Sequence, residues 1–404
     1  MLFRLHDLRL VDNPALHECA NRCDFTVPVY IYANPKSEME SLGSSQRARA
    51  SEVWVREAVS SLRLQLQSEG SYLITRCIDG YCAKGIIETM SYLSKYLSVD
   101  CVDEFELYMN TRFEPKARVV DDMVASGLQS LGINVYTYNA SLLYDPQAIS
   151  LALTGNHWTG HWGTLMPFLN TCRKLGPPPK PLPFPPNLVL PESMKTKVLT
   201  LCEQPLVDEN FHLWAEKIRN SWTITTAQAE INMKHFLVEG GLANYETQRS
   251  RVDKEDSVSR LSPYLRHGML SPRVLFWAVE NAGFTKEQKK TFGRRLFWRD
   301  LAYYQLSAFP DMSEKSIRSH YDTQEWIDNP SHLKAWQRGQ TGYPMVDAAM
   351  RELYATGWIH QSMRMVVASF LIEFMGIDWR NGFRWFHDSL VDADVAINAM
   401  MWQK

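Results

Sequence analysis

The chain has 404 residues, 45% of them hydrophobic and 22% charged, with a formal net charge of −2. That balance describes a globular protein of roughly two or three domains, excludes a disordered one, and leaves any attraction to nucleic acid to a local patch. No apolar run reaches the roughly 18 residues of a membrane span, no signal-peptide pattern opens the chain, and the seven cysteines lack Cys-x-x-Cys spacing. A soluble intracellular protein with reduced thiols and no membrane partner is therefore expected.

From residue 1 to about 150, β-rich runs alternate with helical patterns. Strands are predicted at Met1–Arg4, Phe25–Tyr32, Tyr72–Arg76, Val99–Phe105 and Asn134–Tyr138, with helices at Arg47–Gln67, Ile86–Tyr96 and Arg118–Leu131. This alternation predicts an N-terminal α/β domain over 1–150 with a parallel, Rossmann-like sheet. No Gly-x-Gly-x-x-Gly follows any of the strands, so the usual dinucleotide site is not supported. Residues 151–208 read as an interdomain connection. Its 176–191 stretch holds eight prolines in sixteen residues, which fits a crossing between domains or a proline-rich ligand for another protein. His157 and His161 stand four apart there without a neighbouring acid or cysteine, a weak metal signal.

Over 209–404 the pattern is all-α, and ten of the thirteen tryptophans lie there. Most are expected in the core, since aromatics bury large areas. Lys286, Lys289, Lys290, Arg294, Arg295 and Arg299 form a basic run that fits either DNA phosphates or a solvated helix face. Near the C-terminus, read as one helix, Asp394, Asn398 and Trp402 recur every four residues and share a face, with Asp392 beside them. Both the wall of a flat, polar-edged cofactor and an amphipathic helix with acids in its first turn fit that spacing.

Five stretches carry a resemblance: Asp7–Leu16, Ser259–Ser271, Leu296–Asp300, Trp336–Arg351 and Ala355–His360. Together they resemble the DNA photolyase/cryptochrome family across nearly the whole chain. The resemblance implies an α/β domain, often carrying an antenna chromophore of folate or deazaflavin type, and a helical domain holding FAD. It places Tyr245, Ser259, Leu261 and Ser262 at the FAD phosphates, with Arg299 supporting the cofactor's charge. It also assigns Gln361, Arg364, Asp392 and Asp394 to the flavin, with Arg364 pairing Asp392. Asn398 matches the position facing flavin N5, where an amide, typical of photolyases, cannot donate a proton as an acid can. Trp402, Trp379 and Trp326 match the electron-hopping chain, and Trp298 and Met365 the positions that pack on a flipped pyrimidine dimer. The antenna residues stay unassigned, although Tyr108–Asn110 and Arg112–Pro115 match a family stretch.

Four positions depart from the repair pattern. Arg295 stands where dimer photolyases usually carry a glutamate, Gln361 where they carry asparagine, Ser362 where they carry a phosphate-binding arginine, and Lys404 where they carry a second stacking tryptophan. Family members also continue past the position of Lys404, so the chain reads as C-terminally truncated. The resemblance thus implies a photolyase acting on damaged DNA. A cryptochrome-type photoreceptor acting on a signalling protein, or a truncated non-catalytic isoform, are the other readings.

Overall fold

The computed structural model describes residues 1–33, 48–80, 82–98, 104–154, 162–202 and 212–404. Five strands form one parallel sheet in the order β3-β2-β1-β4-β5: β1 Leu2–Phe3, β2 Val29–Ala33, β3 Ile74–Ile78, β4 Glu106–Asn110 and β5 Asn134–Tyr138. The short β1 is central, with Leu2 paired to Val29 on one side and Met109 on the other. β2 begins at Val29 and not at Phe25, because Pro28 has no N–H to donate to the ladder. β4 begins just past the expected Val99–Phe105 run, of which 99–103 lie outside the described residues. Its first residue, Glu106, is polar and accepts hydroxyl bonds from Tyr108 at 2.6 Å and Tyr136 at 3.1 Å.

Successive side chains along these strands enter opposite faces of the sheet. Leu2, Val29, Ile31, Ile74, Leu107 and Met109 pack against the helices Ala83–Leu97, Pro115–Gln129 and Glu192–Leu201. Phe3, Tyr30 and Tyr108 face the other way, into a core that runs without a break into the helical half of the chain. Trp54 of the Arg49–Ser68 helix joins the two halves, edge-on to Trp222 at 5.3 Å and to Tyr264 at 5.1 Å.

From residue 212 onward every regular element described is a helix. The seam between the two halves is unusually polar for a buried surface. Asp12, fully buried, accepts Arg273 Nη2 at 2.7 Å and Nε at 3.0 Å, and the hydroxyl of Ser271 as well. Gly268 lies against the backbone of the first strand's exit: a Cβ there would stand 2.0 Å from the His6 carbonyl oxygen, and its φ is +64°. Only glycine tolerates both. The proline-rich stretch is coil throughout, and it is fastened to both halves. Leu182 N donates to Asp12 Oδ1 at 2.9 Å, Leu190 N to Gly70 O at 3.2 Å, and Trp277 Nε1 to Pro179 O at 3.0 Å.

Candidate functional site

The C-terminal segment is two helices, Trp379–Ser389 and Val395–Trp402, and the second carries the four-residue spacing of Asp394, Asn398 and Trp402. Leu390–Asp394 breaks them apart, and Val391 N donates to Gly357 O at 2.8 Å, a tertiary bond that holds the break open. Asp394 is the N-cap of the second helix: its Oδ1 accepts Ala396 N at 3.0 Å and Ile397 N at 3.1 Å. The carboxylate therefore sits where orphan amides and the positive end of the helix dipole favour it. One and two turns on, Asn398 and Trp402 follow it along the helix, while Asp392 approaches from the turn before the cap.

These groups line one cleft, together with Gln361, Arg364, Met365, Phe386 and Met401. Arg364 Nη2 donates to both oxygens of Asp392, at 2.9 and 3.2 Å, and its Nε to Ile359 O at 3.1 Å. The Asp392 carboxyl is thereby partnered and does not stand alone. Arg364→Ala is expected to cost about 2 kcal/mol in chemical denaturation, less than for a fully enclosed pair because the guanidinium keeps some water contact. Asn398 Nδ2 donates to Phe383 O at 3.1 Å. That bond fixes which end of the amide is which and leaves the amide oxygen, an acceptor, as what Asn398 offers the cleft. His360, which caps the Gln361–Ser369 helix, accepts Ser362 N on Nδ1 at 3.1 Å. Burial and then the nearby Arg364 lower its pKa, so it stays neutral.

Trp402 is held edge-on to Phe386 at 5.0 Å and to Trp336 at 6.4 Å. It lies flush on the preceding helix because residue 382 is glycine: a Cβ there would meet Trp402 Cη2 at 2.1 Å. Gly382→Ala is expected to push Trp402 toward the cleft and to lower stability by about 1–3 kcal/mol, measured by thermal unfolding. Trp379 lies one turn before Gly382, its ring covered by the Arg380 guanidinium at 4.9 Å. Trp326 adjoins Ile327, whose amide donates to Gly376 O at 2.8 Å, three residues before Trp379. Trp402 and Trp379 are buried and Trp326 is half-buried.

Apart from Met365 at its edge, the remaining candidates are not in the wall of that cleft. Tyr245 packs edge-on to Phe236 and Phe292. Leu261 is buried, Ser259 half-buried and Ser262 exposed, at the start of a helix only five residues long. Trp298 is half-buried, with Lys404 Nζ 3.4 Å from its ring centroid. Arg295 is half-buried and Met365 half exposed. Arg299 corrects the reading of the basic run as one DNA-facing or solvated surface: it is 7% exposed, so it faces neither. Its Nη1 and Nη2 are buried without a hydrogen-bond partner, a cation enclosed and waiting for an anion. His157 and His161 lie outside the described residues. Among the described residues no group of His, Cys, Asp and Glu could hold a metal ion, and no helix is long and apolar enough to cross a membrane.

Sequence reading missed two features. Arg260, in the left-handed region at φ 49°, lays its guanidinium between Trp222 and Trp358 at 4.8 and 4.9 Å. Behind Asp394 stands a buried polar network: Tyr303 donates to Asp394 Oδ2 at 2.9 Å and lies 3.3 Å from Glu114 Oε1, which also holds His6 Nε2 at 2.8 Å. The one signal available was that Tyr303 is four residues, one turn, after Arg299.

Comparison with known proteins bears on what this cleft is. The family described as DNA photolyase matches residues 1–186, and the FAD binding domain of DNA photolyase matches residues 292–404, which include the whole cleft. A deoxyribodipyrimidine photo-lyase of Agrobacterium fabrum is 32% identical over 401 residues, covering 98% of this chain and 78% of that protein. Cryptochrome-2 of Arabidopsis thaliana is 31% identical over 415 residues; the alignment covers 98% of this chain but only 63% of that protein. The crystal structure of a bacterial class III photolyase from Agrobacterium tumefaciens superimposes with a TM-score of 0.83 at 30% identity, covering 100% of this chain and 78% of that one. With the parallel α/β sheet, the helical half and the cleft in place, the chain belongs to the DNA photolyase/cryptochrome family.

Proposed function

We propose that the chain is a photolyase-like flavoprotein that holds FAD in the helical half and acts in light on pyrimidine dimers in DNA. The observation that carries this reading is the convergence of the Arg364–Asp392 pair, Asp394, Asn398 and Trp402 on one cleft inside the region matched by the FAD binding domain. The donor set fits the cofactor. The unpartnered Arg299 guanidinium suits its anionic phosphates, with Tyr245, Ser259, Leu261 and Ser262 on the same side of the reading and Gln361 at the cleft rim. FAD, when bound, absorbs the light and supplies the electron that opens the dimer.

The chain's own residues supply position and charge. Arg364 holds the Asp392 carboxylate in place in the cleft through two hydrogen bonds. Asn398 presents an acceptor and no acidic proton, which favours keeping the reduced cofactor unprotonated at that edge. Trp402, Trp379 and Trp326 form the outward relay. Trp298 and Met365 receive the flipped dimer, a step taken by photolyases as a class, and Arg295 meets the DNA. Within this reading 1–150 is the antenna-type domain, where a folate or deazaflavin chromophore would sit, 151–208 the connection and 209–404 the FAD domain.

A second reading, a cryptochrome-type photoreceptor that signals to a protein partner, draws on one contact. Lys404 Nζ covers the face of Trp298 on which a dimer would stack, and burial lowers that amine to about 8, so it is partly neutral in mildly alkaline solution. The reduced protein, illuminated with a dimer-containing oligonucleotide, separates the two. Recovery of the ultraviolet absorbance of intact pyrimidines supports repair; no recovery, together with light-driven flavin reduction in a parallel sample that starts oxidised, supports signalling.

A further inference from the structure

The Pro14–Arg22 helix of the α/β half carries Cys19 in its last turn and is capped by Cys23, two free thiols that the flavin reading does not use. The Cys23 amide donates to the Cys19 carbonyl at 3.0 Å, so the helical turn between them is closed. At that spacing in a helix two Cα atoms stand about 6.2 Å apart, inside the roughly 4.4–6.8 Å that a disulfide spans. A side chain at the later position leans back over the earlier one. The two sulfurs accordingly share a hydrogen bond. Cys23 has extended backbone, with φ −105° and ψ 150°, so its side chain can adjust without a further helical turn to disturb.

The surroundings give the two thiols unequal parts. Cys19 is 4% exposed, and its sulfur accepts the Thr26 hydroxyl at 3.4 Å. Cys23 is half-buried, its sulfur 3.8 Å from Glu106 Oε2. Glu106 already receives the Tyr108 hydroxyl on that oxygen at 2.6 Å and the Tyr136 hydroxyl on the other at 3.1 Å. The Cys23 proton is therefore available to Cys19. The negative end of the helix dipole opposes a thiolate here, so Cys19 depends on its donors. The Cys23 S–H has the largest influence; with Thr26 among its helpers it outweighs burial and brings the Cys19 thiol down to about 6. The same hydrogen bond, followed by burial, raises Cys23, which keeps its proton.

We propose that Cys19 and Cys23 are a redox-modification site, a thiol pair that a hydroperoxide converts to a disulfide across one helical turn. The inference is independent of the flavin reading. The Cys19 thiolate attacks one peroxide oxygen, the O–O bond breaks, and the other oxygen takes a proton from solvent and leaves as water. Cys23 then attacks the Cys19 sulfenic sulfur: the S–S bond forms, the S–O bond breaks, and the hydroxyl departs with the Cys23 proton as a second water. Two thiols lose two electrons, and one hydrogen peroxide gains them. Cys19 is too enclosed for a bulky disulfide oxidant, whereas hydrogen peroxide is little larger than water.

Treating the folded chain with hydrogen peroxide, blocking the remaining thiols by alkylation and digesting with trypsin reads the bond directly, because trypsin cuts between Arg22 and Cys23. The peptide ending at Arg22 and the one beginning at Cys23 should appear as one species, about 2 Da lighter than their sum, that separates on reduction. Cys77, the exposed thiol, should still be alkylated. In Cys23→Ser the link should be lost and Cys19 recovered as the dimedone adduct of its sulfenic acid; in Cys19→Ser the Cys23 thiol should stay alkylatable. Two separate, alkylated peptides from the peroxide-treated wild-type chain overturn the proposal, and so does oxidation of Cys77 ahead of the pair. The wild-type digest decides the matter even where a variant fails to fold.

Discussion

Arg273→Ala is expected to destabilise the chain by about 3–5 kcal/mol, because it strands Asp12 as an unpaired charge in a place without water. Asp12 is 0% exposed, and Arg273 grips both its oxygens. The carboxylate also binds the Ser271 hydroxyl and Leu182 N, so one residue ties the α/β half, the helical half and the proline-rich crossing together. Equilibrium unfolding in urea measures the loss, and the combined Asp12→Asn, Arg273→Ala variant should recover part of it, since no charge is then left alone. A loss under about 1 kcal/mol in the single variant would mean that water reaches the seam.

The stability of this chain should also fall as pH rises from about 4 to about 7, and Asp300→Asn should flatten that slope. Asp300, 1% exposed, accepts Tyr144 N at 2.8 Å and Leu143 N at 3.4 Å, fastening the helix of Arg299 to the loop after β5. Burial raises its pKa to about 7, against the amides and Arg299, which pull it down. A carboxyl that holds its proton more tightly folded than unfolded adds stability that is complete below the unfolded value of 3.8 and gone above the folded one. At about 1.36 kcal/mol per pH unit, the change across that window is on the order of 4 kcal/mol. Asparagine cannot ionise and keeps one acceptor oxygen for the shorter bond. Thermal unfolding at pH 5 and pH 8 tests this: the wild-type chain should lose more on going to pH 8 than Asp300→Asn does. Equal losses would assign the slope to other groups.

The α/β alternation was legible because its strands are short, apolar and bounded by turns, and β5 falls on the predicted residues. β4 was read too early because its first residue, Glu106, looks like a loop residue; only the tertiary position of the Tyr108 and Tyr136 hydroxyls makes it a strand residue. The helix break before Asp394 has no glycine or proline to announce it. A bond to Gly357, from another helix's end, makes it. Arg299 looked like part of a basic face because the first half of its helix is a surface, but residues 299–306 are buried on every side, which erases the helical period. Arg364 and Asp392, 28 residues apart, were paired by family resemblance alone. The Tyr303 hydroxyl joins residues 114, 303 and 394 across the seam, and no local pattern encodes a contact at such separations.

FAD in the helical half of this chain underlies every role proposed for the cleft. Titrating the purified, FAD-free chain with the cofactor, and reading flavin fluorescence quenching alongside circular dichroism, tests it most directly. Saturable, stoichiometric binding is expected, weakened by Arg364→Ala and by Arg299→Ala. A chain that is folded by circular dichroism and leaves flavin fluorescence unquenched would contradict it.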